Sequence, residues 1–220
     1  MTLTDELWAA IEPTYRQILD HSFLGGLTDG TLPRAAFRHF VVQDSHYLRD
    51  YARALAVCAA KAPGEAEVRA FAADAVGAIA AEQEMHAEFL SAFGEDAELA
   101  AAEPVLPTTL AYTSYLLATV YGGSFAEALG AVLPCYWIYA RVGEELLARS
   151  SPDPLYAKWI AAYGEESFQS VVRRVLELTD RIGEELSPVE RRRVIEHFGT
   201  TARYEWMFWD AAWRGETWPV

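Results

Sequence analysis

Apolar residues recur three and four positions apart along the whole chain, while alternating runs of β-branched residues closed by hairpin turns are nearly absent. That period stacks apolar side chains on one face of a helix, so the chain reads as all-α. Helix starts are well marked. Ser124-Phe-Ala-Glu127 fits a capping box, Asp153-Pro154 sets a cap before a first-turn proline, and Ser187-Pro188-Val-Glu190 combines both devices. Breaks near 24–33, 62–64, 94–107, 122–123, 150–153, 183–187 and 214–220 leave helices over about 4–22, 33–61, 65–93, 108–121, 124–149, 154–164, 166–182 and 188–213. Short breaks between long helices predict antiparallel neighbours packed as a helical bundle, and bundle cores are where helical proteins keep small-molecule sites.

Three side chains violate the pattern that defines those helices. Asp44 sits on the stripe of Phe37, Phe40, Val41, Tyr47, Leu48 and Tyr51, and Glu205 on that of Phe198, Ala202, Phe208 and Trp209. Cys135 shares a face with Ala128, Val132, Tyr139, Val142 and Leu146. Burying an unpaired carboxylate costs on the order of 1–3 kcal/mol even with partial compensation, so two such positions need a reason beyond folding. Pro134, inside the same helix as Cys135, removes a backbone hydrogen bond and offers a kink that opens space beside the thiol.

At 220 residues, with no linker or low-complexity tract, the chain is read as one domain over 1–220, and its 52% hydrophobic content supports a large core. A formal net charge of -14 opposes contact with phosphate backbones, so nucleic acid is not an expected partner. Two cysteines, Cys58 and Cys135, make no disulfide framework. No charged n-region followed by an apolar h-region opens the sequence, so no signal peptide is expected and the cytoplasm is the expected compartment. Residues 104–126 carry no charge, yet Pro104, Pro107, Gly122, Gly123 and several threonines make them a buried helix with its caps rather than a membrane span.

A thiol among apolar groups becomes less acidic, so a reactive Cys135 needs polar neighbours. Tyr139 lies one turn along the same helix, Tyr47 on the Asp44 face, and Tyr112 and Tyr163 on other inward-looking segments. A carboxylate in an apolar pocket holds a proton near neutrality, a role that suits Glu205. A blander reading stays open for each residue alone: a buried cysteine fills a core, an aromatic stripe packs, an inward aspartate caps a helix. Metal chemistry finds little support. No histidine has a glutamate three residues before it, as a carboxylate-bridged di-iron bundle requires. Glu82 and His86 form a single pair of structural character, and His39 and His46 share a face with Gln43, Arg49 and Asp50 that reads as solvated. His86-Ala-Glu88 with Pro134-Cys135 half meets a zinc deaminase pattern, but Ile138 stands where the second cysteine belongs. No cofactor and no metal are expected.

Gly-Thr-Leu-Pro at 30–33, Phe-Val-Val-Gln-Asp-Ser at 40–45, Leu-Pro-Cys-Tyr-Trp-Ile-Tyr at 133–139 and Tyr-Glu-Trp-Met-Phe-Trp at 204–209 resemble the TenA/Thi-4 family, in its cysteine-containing thiaminase II branch. The resemblance runs from about residue 5 to residue 218. It implies a haem-oxygenase-like helical bundle without haem, a homotetramer, and a role in thiamin salvage as an aminopyrimidine aminohydrolase acting on a small-molecule aminopyrimidine. Position by position it implies Cys135 as the nucleophile that adds to the pyrimidine ring and Glu205 as the proton donor to the departing amine or thiazole. Asp44 would bind the aminopyrimidine and help protonate its ring, and Tyr47 would favour the ionised thiol. Tyr112, Tyr139 and Tyr163 would bind or stack on the heterocycle, with Phe208 on the pocket wall. Two other classes stay open: an indirect, non-enzymatic regulator of transcription, and a haem-oxygenase-like oxidative enzyme. The four tryptophans Trp206, Trp209, Trp213 and Trp218 near the C-terminus add an expectation of apolar surface buried between subunits.

Overall fold

The computed structural model describes residues 1–81, 86–94, 100 and 102–220, residue 81 by its backbone alone. Among them are ten α-helices and no strand: α1 (Leu3–Leu19), α2 (Ser22–Asp29), α3 (Arg34–Lys61), α4 (Glu65–Ala81), α5 (Ala87–Ala92), α6 (Pro107–Gly122), α7 (Phe125–Leu147), α8 (Pro154–Gly164), α9 (Glu166–Glu185) and α10 (Pro188–Arg214). The expected caps are present. Ser124 and Glu127 exchange side-chain to backbone hydrogen bonds, as do Ser187 and Glu190, and the Asp153 carboxylate accepts from the amide of Leu155. The uncharged stretch forms α6, and no helix among the described residues is long and apolar enough to cross a membrane.

One expectation fails at residues 22–29. The Gly25-Gly26 pair reads as a break, but the segment folds as α2, with His21 Nδ1 accepting from the amide of Phe23 and Gly30 closing the helix at φ 71°. Gly26 allows a close approach instead of a break: a Cβ there would lie 2.9 Å from Leu32 Cα.

The helices fall into two compact units. The first comprises Met1–Leu32 and Leu129–Trp206, the second Pro33–Ala128 and Met207–Val220. In the first, α1 turns the stripe Leu3, Leu7, Ile11, Tyr15 and Ile18 inward and packs against α9. The contact is fixed by Asp180, whose carboxylate accepts from the Thr4 amide at 2.8 Å and its hydroxyl at 3.0 Å. Burial pushes the Tyr15 phenol up to about 12. Two glycines of α7 let neighbours come to backbone distance. A Cβ on Gly130 would lie 2.8 Å from Val194 O, and one on Gly143 would lie 2.5 Å from the carbonyl carbon of Tyr163. Because the second obstacle is backbone, Gly143→Ala is expected to cost about 1–3 kcal/mol by forcing α7 and α8 apart. Urea unfolding checks this, and an unchanged midpoint would contradict it.

In the second unit α3 packs against α4, α5 and α6. Residues 40–45 of α3 are buried on every face, the condition for a helix that is core all round. The face expected to be solvated is therefore covered: Gln43 Nε2 donates to Pro104 O at 3.1 Å while its Oε1 accepts from the Leu106 amide at 3.0 Å. On the same side His39 is half-buried, and desolvation holds its imidazole below the usual histidine range. The chain end returns to α6. Glu216 accepts from the amide and hydroxyl of Thr108, at 2.9 and 2.8 Å, and Trp218 Nε1 donates to Val105 O.

Candidate active site

Asp44 is 4% exposed at the middle of α3, where the stripe reading puts it, and its Oδ2 lies 2.9 Å from His86 Nε2. His86, itself 3% exposed, precedes α5. One turn from Asp44 on the same helix, Tyr47 packs its ring 4.8 Å from Tyr112 of α6 and 5.8 Å from Phe208, measured between centroids. Tyr51 stacks behind Tyr47 at 5.5 Å, and Phe40 meets Phe208 edge-on at 5.6 Å. Of the expected residues the second unit thus holds Asp44, Tyr47, Tyr112 and Phe208, with Tyr112 and Phe208 both packed on the Tyr47 ring one turn from the buried carboxylate.

The first unit holds the rest. Tyr139 of α7 and Tyr163 of α8 lie 4.9 Å apart, and Trp159 sits 4.8 Å from Tyr163. Gln169, the only buried polar side chain described on α9 besides Thr179, ties these two helices by donating to Ala140 O and Tyr163 O at 3.0 and 2.9 Å. Glu205, 1% exposed, follows the buried Phe198 and Ala202 on α10. Cys135 departs from its stripe. Val132, Ile138, Tyr139 and Val142 around it on α7 are buried, whereas the thiol-bearing residue is half-buried.

The two thiols therefore differ in kind. Cys58 is fully enclosed, and burial pushes its pKa up to about 12, which makes it an inert core residue. Alkylation of the folded protein with iodoacetamide is expected to label Cys135 and to spare Cys58 until denaturant is added. Peptide mass mapping reads the result, and native labelling of Cys58 would contradict it.

His86 is the residue the sequence reading did not place in the site. Glu82, its expected partner, lies outside the described residues, and the contact that counts is with Asp44. The signal was available: Phe89 and Leu90, three and four positions on, are both buried and mark His86 as inward by the rule that singled out Asp44. Among the described residues no group of three or more His, Cys, Asp or Glu side chains is arranged to hold a metal ion.

The helices of the described residues, with no strand among them, have the arrangement of solved structures with a haem-oxygenase-like fold. One such structure, a domain of unknown function from Shewanella denitrificans OS217, matches 96% of this chain and 92% of its own length at a TM-score of 0.76 and 16% identity, which shows the fold. The TenA homologue from P. horikoshii OT3 matches 98% of this chain and all of its own at a TM-score of 0.90 and 30% identity. A relative from Bacillus subtilis (strain 168), an aminopyrimidine aminohydrolase, is 35% identical over 218 residues, 99% of this chain and 92% of that protein. Residues 8–215 match the model of the TENA/THI-4/PQQC family, and the chain belongs to that family.

Proposed function

We propose that this protein is an aminopyrimidine aminohydrolase of thiamin salvage. It converts 4-amino-5-aminomethyl-2-methylpyrimidine and water to 4-amino-5-hydroxymethyl-2-methylpyrimidine and ammonia, and cleaves thiamin to the same pyrimidine and its thiazole. The observation that carries this reading is the contrast between a half-buried Cys135 and a sealed Cys58, in a chain 35% identical to a protein with that activity in its name. A nucleophilic thiol must be reachable, and only one of the two is.

In the proposed reaction the Cys135 thiolate adds to the pyrimidine ring, and the electron pair displaced into the ring expels the substituent at the 5-methylene: the amine as ammonia with a proton from Glu205, the thiazolium of thiamin as neutral thiazole, which takes the bond pair and needs no proton. Water then adds at the methylene and gives its proton to the Glu205 carboxylate, the ring electrons return, and the thiolate leaves with its electron pair. The amine departs as ammonia and the cysteine is regenerated, so the net change is hydrolysis. Asp44 grips the aminopyrimidine, whose N–H donors satisfy a carboxylate that is costly to bury. Tyr47 favours the ionised form of the thiol, and Tyr112, Tyr139, Tyr163 and Phe208 supply aromatic faces to a planar ring. Incubating the purified protein with the aminomethylpyrimidine and with thiamin tests the reading. Ammonia or thiazole is expected in equal amount with the hydroxymethylpyrimidine, and no turnover of either compound would overturn it.

We also propose a homotetramer. Val68, Val76 and Ile79 of α4 and Leu110 and Tyr121 of α6 are exposed, more apolar surface than one subunit needs to leave open. Of the four C-terminal tryptophans, Trp209 fills the protein's own core, Trp206 is half-buried, and Trp213 and Trp218 are exposed. Light scattering is expected to give four times the 24.5 kDa chain mass, and a mass of 24.5 kDa would contradict the assembly.

A further inference from the structure

The buried partner of Asp44 has no task in the scheme above, and its geometry supplies one. His86 Nε2 lies 2.9 Å from Asp44 Oδ2, and both residues are almost wholly enclosed. The other ring nitrogen, Nδ1, is buried with no hydrogen-bond partner among the described residues. The contact at Nε2 sets the tautomer. An unprotonated Nε2 would turn its lone pair against a carboxylate lone pair; a proton on Nε2 makes a hydrogen bond to Oδ2. Asp44 is then an acceptor held by one oxygen. A carboxylate that only accepts, with Oδ1 left for the ligand, suits an edge of two donors: the exocyclic amine of an aminopyrimidine and its neighbouring ring nitrogen in protonated form. Holding the proton on that nitrogen draws electrons from the ring and prepares it for attack by a thiolate.

We propose that His86 is the positioning residue of Asp44: through Nε2–H it anchors Oδ2 and aims Oδ1 at the amino edge of the pyrimidine. The inference rests on the aminopyrimidine reading and assigns to that site a residue from a different helical segment. Without His86, a buried Asp44 loses the donor that fixes its rotamer, and substrate binding weakens before any other step does.

The test is a double-mutant cycle on the full-length protein with the aminomethylpyrimidine as substrate, KM, kcat and thermal midpoint being measured for each variant. His86→Ala is expected to raise KM at least tenfold. His86→Gln, whose amide nitrogen reaches the Nε2 position and still donates, is expected to stay within threefold of the parent. In an Asp44→Ala background, His86→Ala is expected to change KM less than twofold, because the group it positions is gone. A histidine that served only packing would produce the same loss in both backgrounds, follow the thermal midpoint, and not be rescued by glutamine; any of these results overturns the proposal. Should His86→Ala fail to fold, His86→Gln decides alone, with KM within threefold in favour and a tenfold rise against. A parent protein that turns over no aminopyrimidine overturns the functional reading and this assignment together, and an active parent with an indifferent His86→Ala overturns the assignment alone.

Discussion

Cys135→Ser is expected to lower kcat for aminopyrimidine hydrolysis by roughly 10⁴-fold or more while leaving the fold intact, the loss typical of removing a covalent nucleophile. Serine matches cysteine in shape, and Cys135 is half-buried rather than a core filler, so the thermal midpoint is expected to move little. At pH 7 a serine hydroxyl is far harder to ionise than a thiol and adds poorly to an electron-poor ring. Cys58→Ser gives the matching control, because the sealed thiol touches none of the proposed machinery: its activity per folded molecule is expected to equal that of the parent. Steady-state kinetics at matched folded concentration check both. Near-normal hydrolysis by Cys135→Ser would contradict the thiol mechanism.

The buried carboxylates give the next largest effects, and the two should separate. Glu205→Gln keeps size and polarity but cannot deliver a proton to the leaving amine, so kcat is expected to fall about 10²- to 10⁴-fold with KM within a few-fold of the parent. Asp44→Asn is expected to hurt both parameters, because an amide presents one acceptor and one donor to an edge that offers two donors. Its bond to His86 can persist, since an amide oxygen still accepts from Nε2. Equal losses in kcat and KM for Glu205→Gln would contradict the division of labour.

Much of this site was legible in the sequence, and the parts that were not share a physical cause. Asp44 and Glu205 are buried, at 4% and 1% exposure, because an i, i+3, i+4 stripe of aromatic and aliphatic residues fixes which face of a helix turns inward. The caps at Ser124, Asp153 and Ser187 are equally local, three residues or fewer from their partners. A stripe reports a face and not a depth, which is why Cys135 was expected among buried neighbours and is instead half-buried. The contacts that escaped the sequence reading span long separations. Asp44 finds its histidine 42 residues away, and Thr108 takes its cap from Glu216, 108 residues on. The face of α3 that carries Gln43 looked solvated because it is polar, yet the Gln43 amide satisfies the backbone of a distant segment at Pro104 and Leu106. α2 was missed for a different reason: glycine disfavours helix by about 1 kcal/mol per residue, a cost that packing of Phe23, Leu24 and Leu27 in the core offsets.

The most direct test of cysteine-dependent hydrolysis is the origin of the oxygen in the product. The reaction is run in ¹⁸O-labelled water under unlabelled dioxygen, with the aminomethylpyrimidine as substrate and Cys135→Ser in parallel, and the pyrimidine product is weighed by mass spectrometry. The account predicts one ¹⁸O in each hydroxymethylpyrimidine, ammonia in equal amount, and no product above background from the variant. Product carrying oxygen from dioxygen, or equal product from Cys135→Ser, would contradict it.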